Sequence, residues 1–288
     1  MDILPQYSTR MANLKTPLRY PGGKSKALKK LFRFIPDLSI YTEWREPFLG
    51  GGSMSIEVTK RYPHLKVWVN DLYYPVYNFW KQLQTKGDAL SNALYKRKEQ
   101  NPDPFDAQYI FEHAKEHIGT DGNEFEDAVR FYIINKCSFS GLSESSSFSK
   151  QASVSNFSLR GIEKLPGYQK IIRDWKITNE SYESLLSKSN YVFTYLDPPY
   201  EIKSNLYGKK GSMHKSFDHD EFAKNCTQAQ GRQLISYNNS SLVKDRFNDT
   251  WNKDNYSHTY TMRSTGNYLD DQKNRDELVL YNYGDYSF

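Results

Sequence analysis

Four consecutive residues, Asp197-Pro198-Pro199-Tyr200, directly follow a strand-like run at 191–196. An exocyclic amine on a nucleobase is a poor nucleophile, because its lone pair is delocalised into the ring. Asp197 can accept a hydrogen bond from such an amine, and the backbone carbonyl of Pro198 can accept a second, since the prolines leave no competing backbone donors. The ring of Tyr200 offers a face on which an extruded base can stack. These residue types suit amine attack on an electrophilic methyl group, although an ordinary turn would also use Asp and Pro.

A glycine-rich turn lies nearer the start of the chain, in the run Glu46-Pro47-Phe48-Leu49-Gly50-Gly51-Gly52. The pattern predicts a strand, a triple-glycine bend and a helix over 53–62, which is the first βα turn of a doubly wound nucleotide-binding fold. Glu46 at the end of the strand can hydrogen-bond a cationic or hydroxylated ligand. The turn lacks the extended Gly-x-Gly-x-x-Gly run of dinucleotide sites, so the sequence disfavours NAD.

An acid, Asp71, follows the second predicted strand at 66–69. In a doubly wound fold, an acid at the tip of that strand lies where ribose hydroxyls are bound. A capping role for Asp71 is the structural alternative, and the residues alone leave both open.

A turn at Pro21-Gly22-Gly23 precedes Lys24, which opens a predicted helix over 25–35. A glycine pair lets the backbone approach a ligand closely, and Lys24 can present a cation to a carboxylate. An ordinary turn before a helix would explain the same residues.

The middle of the chain is predicted to be helical, from 73 to about 118 and again over 124–135, before a Ser- and Gly-rich stretch at 135–150. Phe139, Phe148 and Lys150 in that stretch are residue types that can follow a phosphate backbone or probe bases, and a flexible linker is the alternative. Predicted strands resume at 176–179, 191–196 and 233–238, and two late strands at 256–262 and 277–283 flank a turn suited to a hairpin.

Composition limits the function classes. The 288 residues carry a formal net charge of +5, and aromatic residues make up 15% of the chain, which is compatible with binding a polyanion. The two cysteines lack the spacing of a zinc site, and no apolar run reaches the length of a membrane span. We therefore expect no metal, no membrane partner and a cytoplasmic protein.

Taken together and in this order, the motifs resemble those of the Dam-like DNA adenine-N6 methyltransferases, from Pro17 to about Tyr283. The resemblance rests on the Pro-Gly-Gly-Lys entry, the Glu-Pro-Phe-Leu-Gly-Gly-Gly turn, the Asn-Asp pair after the second strand, and Asp-Pro-Pro-Tyr. It implies an α/β fold with a doubly wound, Rossmann-like sheet that binds S-adenosylmethionine. The implied catalytic domain comprises 1–72 and 161–288, and the implied target-recognition insert, mainly helical, comprises 73–160.

The resemblance also implies roles for individual residues. Asp197 and the Pro198 carbonyl would hold the target amine, and Tyr200 would stack on the flipped adenine. The cofactor would contact the side chains and glycines Tyr20, Gly23, Lys24, Glu46, Phe48, Gly50, Gly51, Gly52, Asp71, Glu180 and Ser181. The family often places an acid directly before an aromatic residue after the third strand, whereas this chain has Ser181 before Tyr182 and Glu180 one place earlier. The DNA-contacting candidates are Lys136, Ser138, Phe139, Ser140, Phe148, Lys150 and Arg263.

The resemblance implies that the partner is double-stranded DNA and that the protein is a monomer or weak dimer. It also implies a protein that is bacterial, or phage-encoded and active in a bacterial cytoplasm. Cytosine N4 and RNA adenine stay open as alternative targets on the same fold. A cofactor-binding protein without catalysis and a dinucleotide oxidoreductase are rivals of a different class, and the filled catalytic positions and the glycine turn argue against them.

Overall fold

Seven strands form one mixed sheet in the part of the chain that the computed structural model describes, which is 14–20, 22–139, 146–201, 217–247, 249–258 and 275–284. The strands are β1 (Glu43–Glu46), β2 (Lys66–Asn70), β3 (Lys176–Thr178), β4 (Val192–Leu196), β5 (Arg232–Asn238), β6 (Asn252–His258) and β7 (Arg275–Tyr281). Their order across the sheet is β3-β2-β1-β4-β5-β7-β6. The first five are parallel, and β7 lies antiparallel to both β5 and β6.

The strand order reverses between β1 and β4, since the chain runs outward from β1 to β3 and then returns to the other side of β1. In open sheets of this kind the carboxyl ends of the strands on either side of the reversal form a crevice that binds ligands. The observed topology confirms the predicted α/β fold class. It also indicates where the functional site lies.

Helices cover both faces of the sheet. The α-helices are α1 (Leu28–Leu31), α2 (Ser53–Arg61), α3 (Tyr74–Gln100), α4 (Pro104–His117), α5 (Glu124–Cys137), α6 (Lys150–Ser155), α7 (Leu159–Ile162), α8 (Leu165–Ile172), α9 (His219–Gln228) and α10 (Ser241–Arg246). Short 3-10 turns occupy Lys24–Lys26, Leu38–Ile40 and Tyr182–Leu185. No described helix is long and apolar enough to cross a lipid bilayer.

Alternation along the central strands explains this layering, because successive strand side chains point to opposite faces. Leu234 and Val279 belong to the larger apolar cluster, whereas Ile235 and Leu280 belong to the smaller one. The larger cluster also takes in the helices between β2 and β3, and the smaller one takes in α9 and α10. The helices predicted as an insert thus share a core with the sheet, and the division at 73 and 160 stays a prediction.

The helical stretch predicted over 73–118 is interrupted at 101–103, and the strand predicted over 277–283 is Arg275–Tyr281. Two further predicted elements differ from the structure. The helix expected over 25–35 is reduced to a 3-10 turn and α1, because Pro36 follows and its ring disfavours a helix running up to it. The late strand expected to start at 256 starts at Asn252 instead. Its first residues, Asn-Lys-Asp-Asn, are polar and lie on an edge strand, so hydrophobic alternation does not reveal them. The rest of that predicted strand, 259–262, lies outside the described residues.

Candidate active site

A cavity of about 320 Å³ opens at the carboxyl ends of β1, β2, β3 and β4. Most of the residues that the sequence assigns to the site line it, namely Tyr20, Gly23, Lys24, Glu46, Phe48, Gly50, Gly51, Gly52, Asp71, Ser181 and Asp197. Glu180, Pro198 and Tyr200 do not belong to the lining, although Pro199 does. The cavity therefore brings together motifs that lie as far apart in the chain as Tyr20 and Asp197.

The glycine turn adopts the backbone that its composition predicts. Gly50 and Gly52 have positive φ values of 46° and 65°, and Gly52 caps α2. The indole of Trp80, in α3, donates a hydrogen bond to the carbonyl of Gly50 at 2.9 Å. The carboxylate of Asp71 accepts from the amide of Gly50 at 2.8 Å. Contacts from two other elements thus hold the turn in shape.

Glu46 ends β1 inside the cavity and is only 3% exposed. One of its oxygens, Oε2, accepts from the amide of Ser55 at 3.0 Å and from the hydroxyl of the same residue. Burial raises the pKa of Glu46 to about 8, and the negative charges of Asp197 and Asp71 act in the same direction. A cation placed beside Glu46 would restore its charge, so the site suits a cationic ligand.

Asp71 follows β2 and is also buried, with 7% exposed. Its Oδ1 accepts from the amide of Tyr73 at 3.0 Å, and its Oδ2 accepts from Gly50. Burial raises the pKa of Asp71 to about 6 despite these bonds. The carboxylate therefore both organises the local backbone and lines the cavity, so the two readings of Asp71 do not exclude each other.

Lys24 and Asp197 form a buried ion pair, with Lys24 Nζ 2.9 Å from Asp197 Oδ1. The ammonium also donates to the carbonyl of Gly22 at 2.8 Å and lies 3.7 Å from the carboxylate of Glu277. Burial alone would lower the pKa of Lys24, but the two carboxylates outweigh it and raise the pKa. Lys24 is therefore protonated, and the entry motif is joined to the Asp-Pro-Pro-Tyr loop.

Asp197 is held through one of its two oxygens. Ser236 of β5 donates its hydroxyl to Oδ1 at 2.9 Å, and Lys24 reaches the same atom. Tyr195 in turn hydrogen-bonds Ser236 at 2.8 Å. Both donors that reach Asp197 from the described part of the chain thus engage Oδ1, and the side chain lines the cavity and is 20% exposed. This arrangement can present an acceptor to an amine.

Tyr200 packs against the side chains of Tyr237, Lys24 and Glu277. Its ring is nearly parallel to that of Tyr237, with 5.9 Å between centroids, and Lys24 Nζ lies 4.9 Å from its centroid. The hydroxyl of Tyr200 donates to Glu277 at 3.1 Å. The ring, which belongs to the last residue of the Asp-Pro-Pro-Tyr run, is thus held in place by contacts with other side chains, and its stacking on a base stays a prediction.

Aromatic rings close the other end of the cavity. Phe48 stacks on Tyr182 at 5.6 Å between centroids, and Phe217 packs edge-on against Phe48 at 5.8 Å. Acids lie next to these rings, since Glu183, Asp218 and Glu221 belong to the lining whereas Glu180 does not. Apolar rings beside hydrogen-bond acceptors suit a flat heteroaromatic group that carries an amine.

The predicted DNA-contacting residues lie at the end of α5 and after it. Ser138 is buried, its backbone bridges that of Phe148, and the Phe148 ring packs on Phe111 at 5.6 Å between centroids. By contrast, Phe139 is 53% exposed and Lys150 is exposed. Lys136 is half-buried, and burial together with the charge of Arg19 lowers its pKa to about 7. Ser140 and Arg263 lie outside the described residues.

Arg19 connects this segment to the cavity. Its guanidinium donates to the carbonyls of Ser138 and Phe139 at 2.7 and 3.2 Å. Its backbone exchanges two hydrogen bonds with the side chain of Asn135, at 2.9 and 2.6 Å. Arg19, which directly precedes the cavity residue Tyr20, therefore holds the backbone at Ser138 and Phe139 in place.

Sequence reasoning missed several residues of the site. Ser236 and Glu277 contact Asp197 and Tyr200, and Tyr182 and Phe217 form the aromatic end. An acid directly before an apolar run, as in Glu277-Leu278-Val279-Leu280, is a signal that could have identified Glu277. Within the described ranges, no three His, Cys, Asp or Glu side chains are grouped so that they could hold a metal ion.

Comparison with known proteins adds an independent finding. Residues 20–265 match the family described as D12 class N6 adenine-specific DNA methyltransferase. A Type II methyltransferase of Lactococcus lactis subsp. cremoris, M1.LlaDCHI, is 21% identical over 94% of this chain and 96% of its own length. Another, M.MjaIII of Methanocaldococcus jannaschii, is 22% identical over 65% of this chain and 70% of its own length. The crystal structure of TrmN from Thermus thermophilus covers 96% of this chain and 52% of its own, at 10% identity and a TM-score of 0.38.

Proposed function

This chain belongs to the D12 class N6 adenine-specific DNA methyltransferases, and from that premise we propose that it takes its methyl group from S-adenosylmethionine held in the cavity beside Asp197. Methylation of adenine in DNA is accordingly its reaction. The family match favours adenine over cytosine N4, and DNA over RNA, among the alternatives that the motifs leave open.

The chemistry of the lining supports this donor. S-adenosylmethionine supplies a methyl group made electrophilic by a sulfonium, and it combines a cation, a ribose and an adenine. Buried Glu46 suits the cation, and Asp71 suits ribose hydroxyls. The rings of Phe48 and Tyr182 suit the adenine. A cavity of about 320 Å³ also lies in the size range of small-ligand sites.

Ser181 and Glu183 are the candidates to bind the adenine amine of the cofactor. Both line the cavity next to Tyr182, and the Ser181 hydroxyl hydrogen-bonds the Glu183 carboxylate. Glu180 is exposed and lies outside the lining. The acid that the family often places before the aromatic residue is thus replaced here by one directly after it.

Asp197 carries the proposal for the target base. Its Oδ1 is occupied by Lys24 and Ser236, so Oδ2 is the acceptor for a hydrogen of the adenine N6 amine. That hydrogen bond would stabilise the positive charge that develops on N6 as the nitrogen–carbon bond forms and the carbon–sulfur bond of S-adenosylmethionine breaks. S-adenosylhomocysteine would be the leaving group, and the extra proton on N6 would then pass to water. The Pro198 carbonyl is the proposed second acceptor, and Tyr200 the proposed stacking surface for a base extruded from the duplex.

The observation that carries the proposal is that Asp197, Glu46 and Asp71 line one cavity at the strand reversal. The test is nucleoside mass spectrometry of unmethylated duplex DNA incubated with the protein and methyl-labelled S-adenosylmethionine. Label on N6 of adenine is the expected result. Label on cytosine N4 would overturn the base, and failure of the folded protein to bind S-adenosylmethionine would overturn the cofactor.

A further inference from the structure

Glu277 is a buried acid next to the proposed active site, and only 1% of it is exposed. It lies between Asn238 of β5 and Tyr256 of β6 in the strand register. Because β7 runs antiparallel to β5, its first residues lie beside the carboxyl ends of the parallel strands. The sheet thus brings Glu277 to the same end of the sheet as Asp197, which follows β4.

Three hydrogen-bond donors surround one oxygen of Glu277. Its Oε2 accepts from the hydroxyl of Tyr200 at 3.1 Å and from the hydroxyl of Tyr256, and Lys24 Nζ lies 3.7 Å away. Burying a carboxylate is costly unless it is paired and hydrogen-bonded, and these partners offset the cost. Of these three, Tyr200 belongs to the Asp-Pro-Pro-Tyr loop and Lys24 pairs with Asp197 of the same loop.

We propose that Glu277 is a positioning residue for the target adenine. It accepts a hydrogen bond from the Tyr200 hydroxyl and so fixes the Tyr200 ring, and it helps to hold Lys24 against Asp197. This inference rests on the proposed roles of Asp197 and Tyr200. Tyr237 packs along the Tyr200 ring, with 19° between the ring planes, and so restrains its tilt. The hydrogen bond to Glu277 restrains the other end of the side chain, and the ring keeps one orientation relative to the Asp197 carboxylate.

A purely architectural role makes a different prediction. If Glu277 served only to join β6 to β7 through Tyr256, its removal would lower stability. Its effect on the rate of methyl transfer would then depend on the Tyr200 hydroxyl no more than on the Tyr256 hydroxyl. The two tyrosines therefore form a matched pair. Both donate to the same carboxylate oxygen, but only Tyr200 belongs to the Asp-Pro-Pro-Tyr loop.

The test is a double-mutant comparison of Glu277→Gln in three backgrounds: wild type, Tyr200→Phe and Tyr256→Phe. The measurement is the single-turnover rate of label transfer to adenine N6 in unmethylated duplex DNA at saturating S-adenosylmethionine. Affinity for S-adenosylhomocysteine and thermal unfolding are recorded alongside. We expect E277Q to lower the rate about tenfold or more in the wild-type and Tyr256→Phe backgrounds, because a neutral acceptor replaces a charged one in the hydrogen bonds to the tyrosines and Lys24 loses a carboxylate. In the Tyr200→Phe background its effect should shrink at least about threefold, because coupled residues are non-additive.

An E277Q enzyme within about twofold of the wild-type rate would overturn the inference, as would an equal effect in all three backgrounds. If E277Q fails to fold, Tyr200→Phe alone decides. It retains the ring and Glu277, and a wild-type rate would show that the hydroxyl contact is not needed. A wild-type protein that leaves adenine unlabelled would instead contradict the proposed function, so the two failures are distinguishable.

Discussion

The two carboxylate oxygens of Asp197 meet different surroundings. Lys24 and Ser236 engage Oδ1. Burial raises the pKa of Asp197, whereas the ammonium of Lys24 acts to lower it. A carboxylate held by one oxygen can offer the other in a fixed direction, which is what in-line transfer to an amine requires.

We predict that Asp197→Ala reduces methyl transfer about 10²–10³-fold, the cost of removing one preorganised group that stabilises developing charge. Lys24 keeps Glu277 as a partner in this variant, so S-adenosylmethionine binding should stay near wild type. Asp174→Ala is the control, because that side chain is 83% exposed and pairs with its neighbour in sequence, Arg173. The check combines single-turnover rates with equilibrium binding, and a rate near wild type would refute the role of Asp197.

Glu46 predicts a pH dependence of cofactor binding. With its pKa raised to about 8 by burial, Glu46 holds a proton at pH 7 in the free protein. Binding a cation there requires the carboxylate, so a proton leaves on binding and the affinity increases as pH rises from 6 towards 8, by at most about tenfold per pH unit. Calorimetry in buffers with different ionisation enthalpies measures the released proton.

The variant Glu46→Gln separates this effect from titration of the ligand itself. The amide is similar in size and can still accept from Ser55. Any pH dependence that comes from the ligand's own amino group would survive in the variant, whereas the part due to Glu46 would vanish. Identical pH profiles for the wild type and the variant would show that Glu46 does not bind the cation.

At the scale of elements, the long helix α3 supports the glycine turn. The Trp80 ring is fully buried, donates to Gly50, and packs so close to Gly52 that an added Cβ would lie 2.7 Å from its Cζ2 atom. The first helix of the predicted recognition insert therefore shapes the loop that is proposed to hold the cofactor. The two predicted domains are coupled at this contact.

We predict that Gly52→Ala destabilises the protein by about 2–4 kcal/mol, from the left-handed backbone and the overpacked contact together. Gly119→Ala is the matched control, because Gly119 has a φ of 76° but nothing within 4 Å of the added Cβ. It should cost about 1–2 kcal/mol, the backbone term alone. Denaturant unfolding measures both variants. Equal losses would mean that Trp80 yields to the new methyl group.

For the whole molecule, a formal net charge of +5 favours a polyanionic partner without saying where it binds. In the structure, Lys150 and Phe139 are exposed. Arg19 holds the backbone at Ser138 and Phe139, and it precedes the cavity residue Tyr20, so these exposed side chains are candidates for the DNA-binding surface. Phosphate contacts position a protein on DNA, and they act through the release of counterions.

We predict that Lys150→Ala weakens DNA binding and lowers the slope of log affinity against log salt by about one unit, as expected for one lost phosphate contact. Lys188→Ala is the control. Lys188 is also exposed, but it lies just before the amino-terminal end of β4, whereas the cavity lies at the carboxyl end. Titrations of duplex DNA at several salt concentrations provide the slopes, and matching slopes for the two variants would exclude Lys150 as a phosphate contact.

The sequence by itself determined the chemistry and its order along the chain. The glycine bend, Asp71 and Asp-Pro-Pro-Tyr follow strands whose apolar patterns lie within short windows, and local turn chemistry and periodicity can be recognised there without tertiary information. The α/β class and the family resemblance follow from those windows, and the structure and the family match confirm them. The sequence does not reveal the first residues of the edge strand β6, Asn252 to Asn255, because they are polar and lack such a pattern.

Only the tertiary structure decided which side chains meet. Tyr200 and Glu277 are 77 positions apart, and nothing local links them. They meet because β7 lies antiparallel between β5 and β6, so that its first residues lie at the end of the sheet where Asp197 follows β4. The same sheet brings Ser236 to Asp197, and helix α3 brings Trp80 to the glycine turn. A hydrogen bond between distant residues depends on strand order and direction, and these are set by the packing of the whole chain.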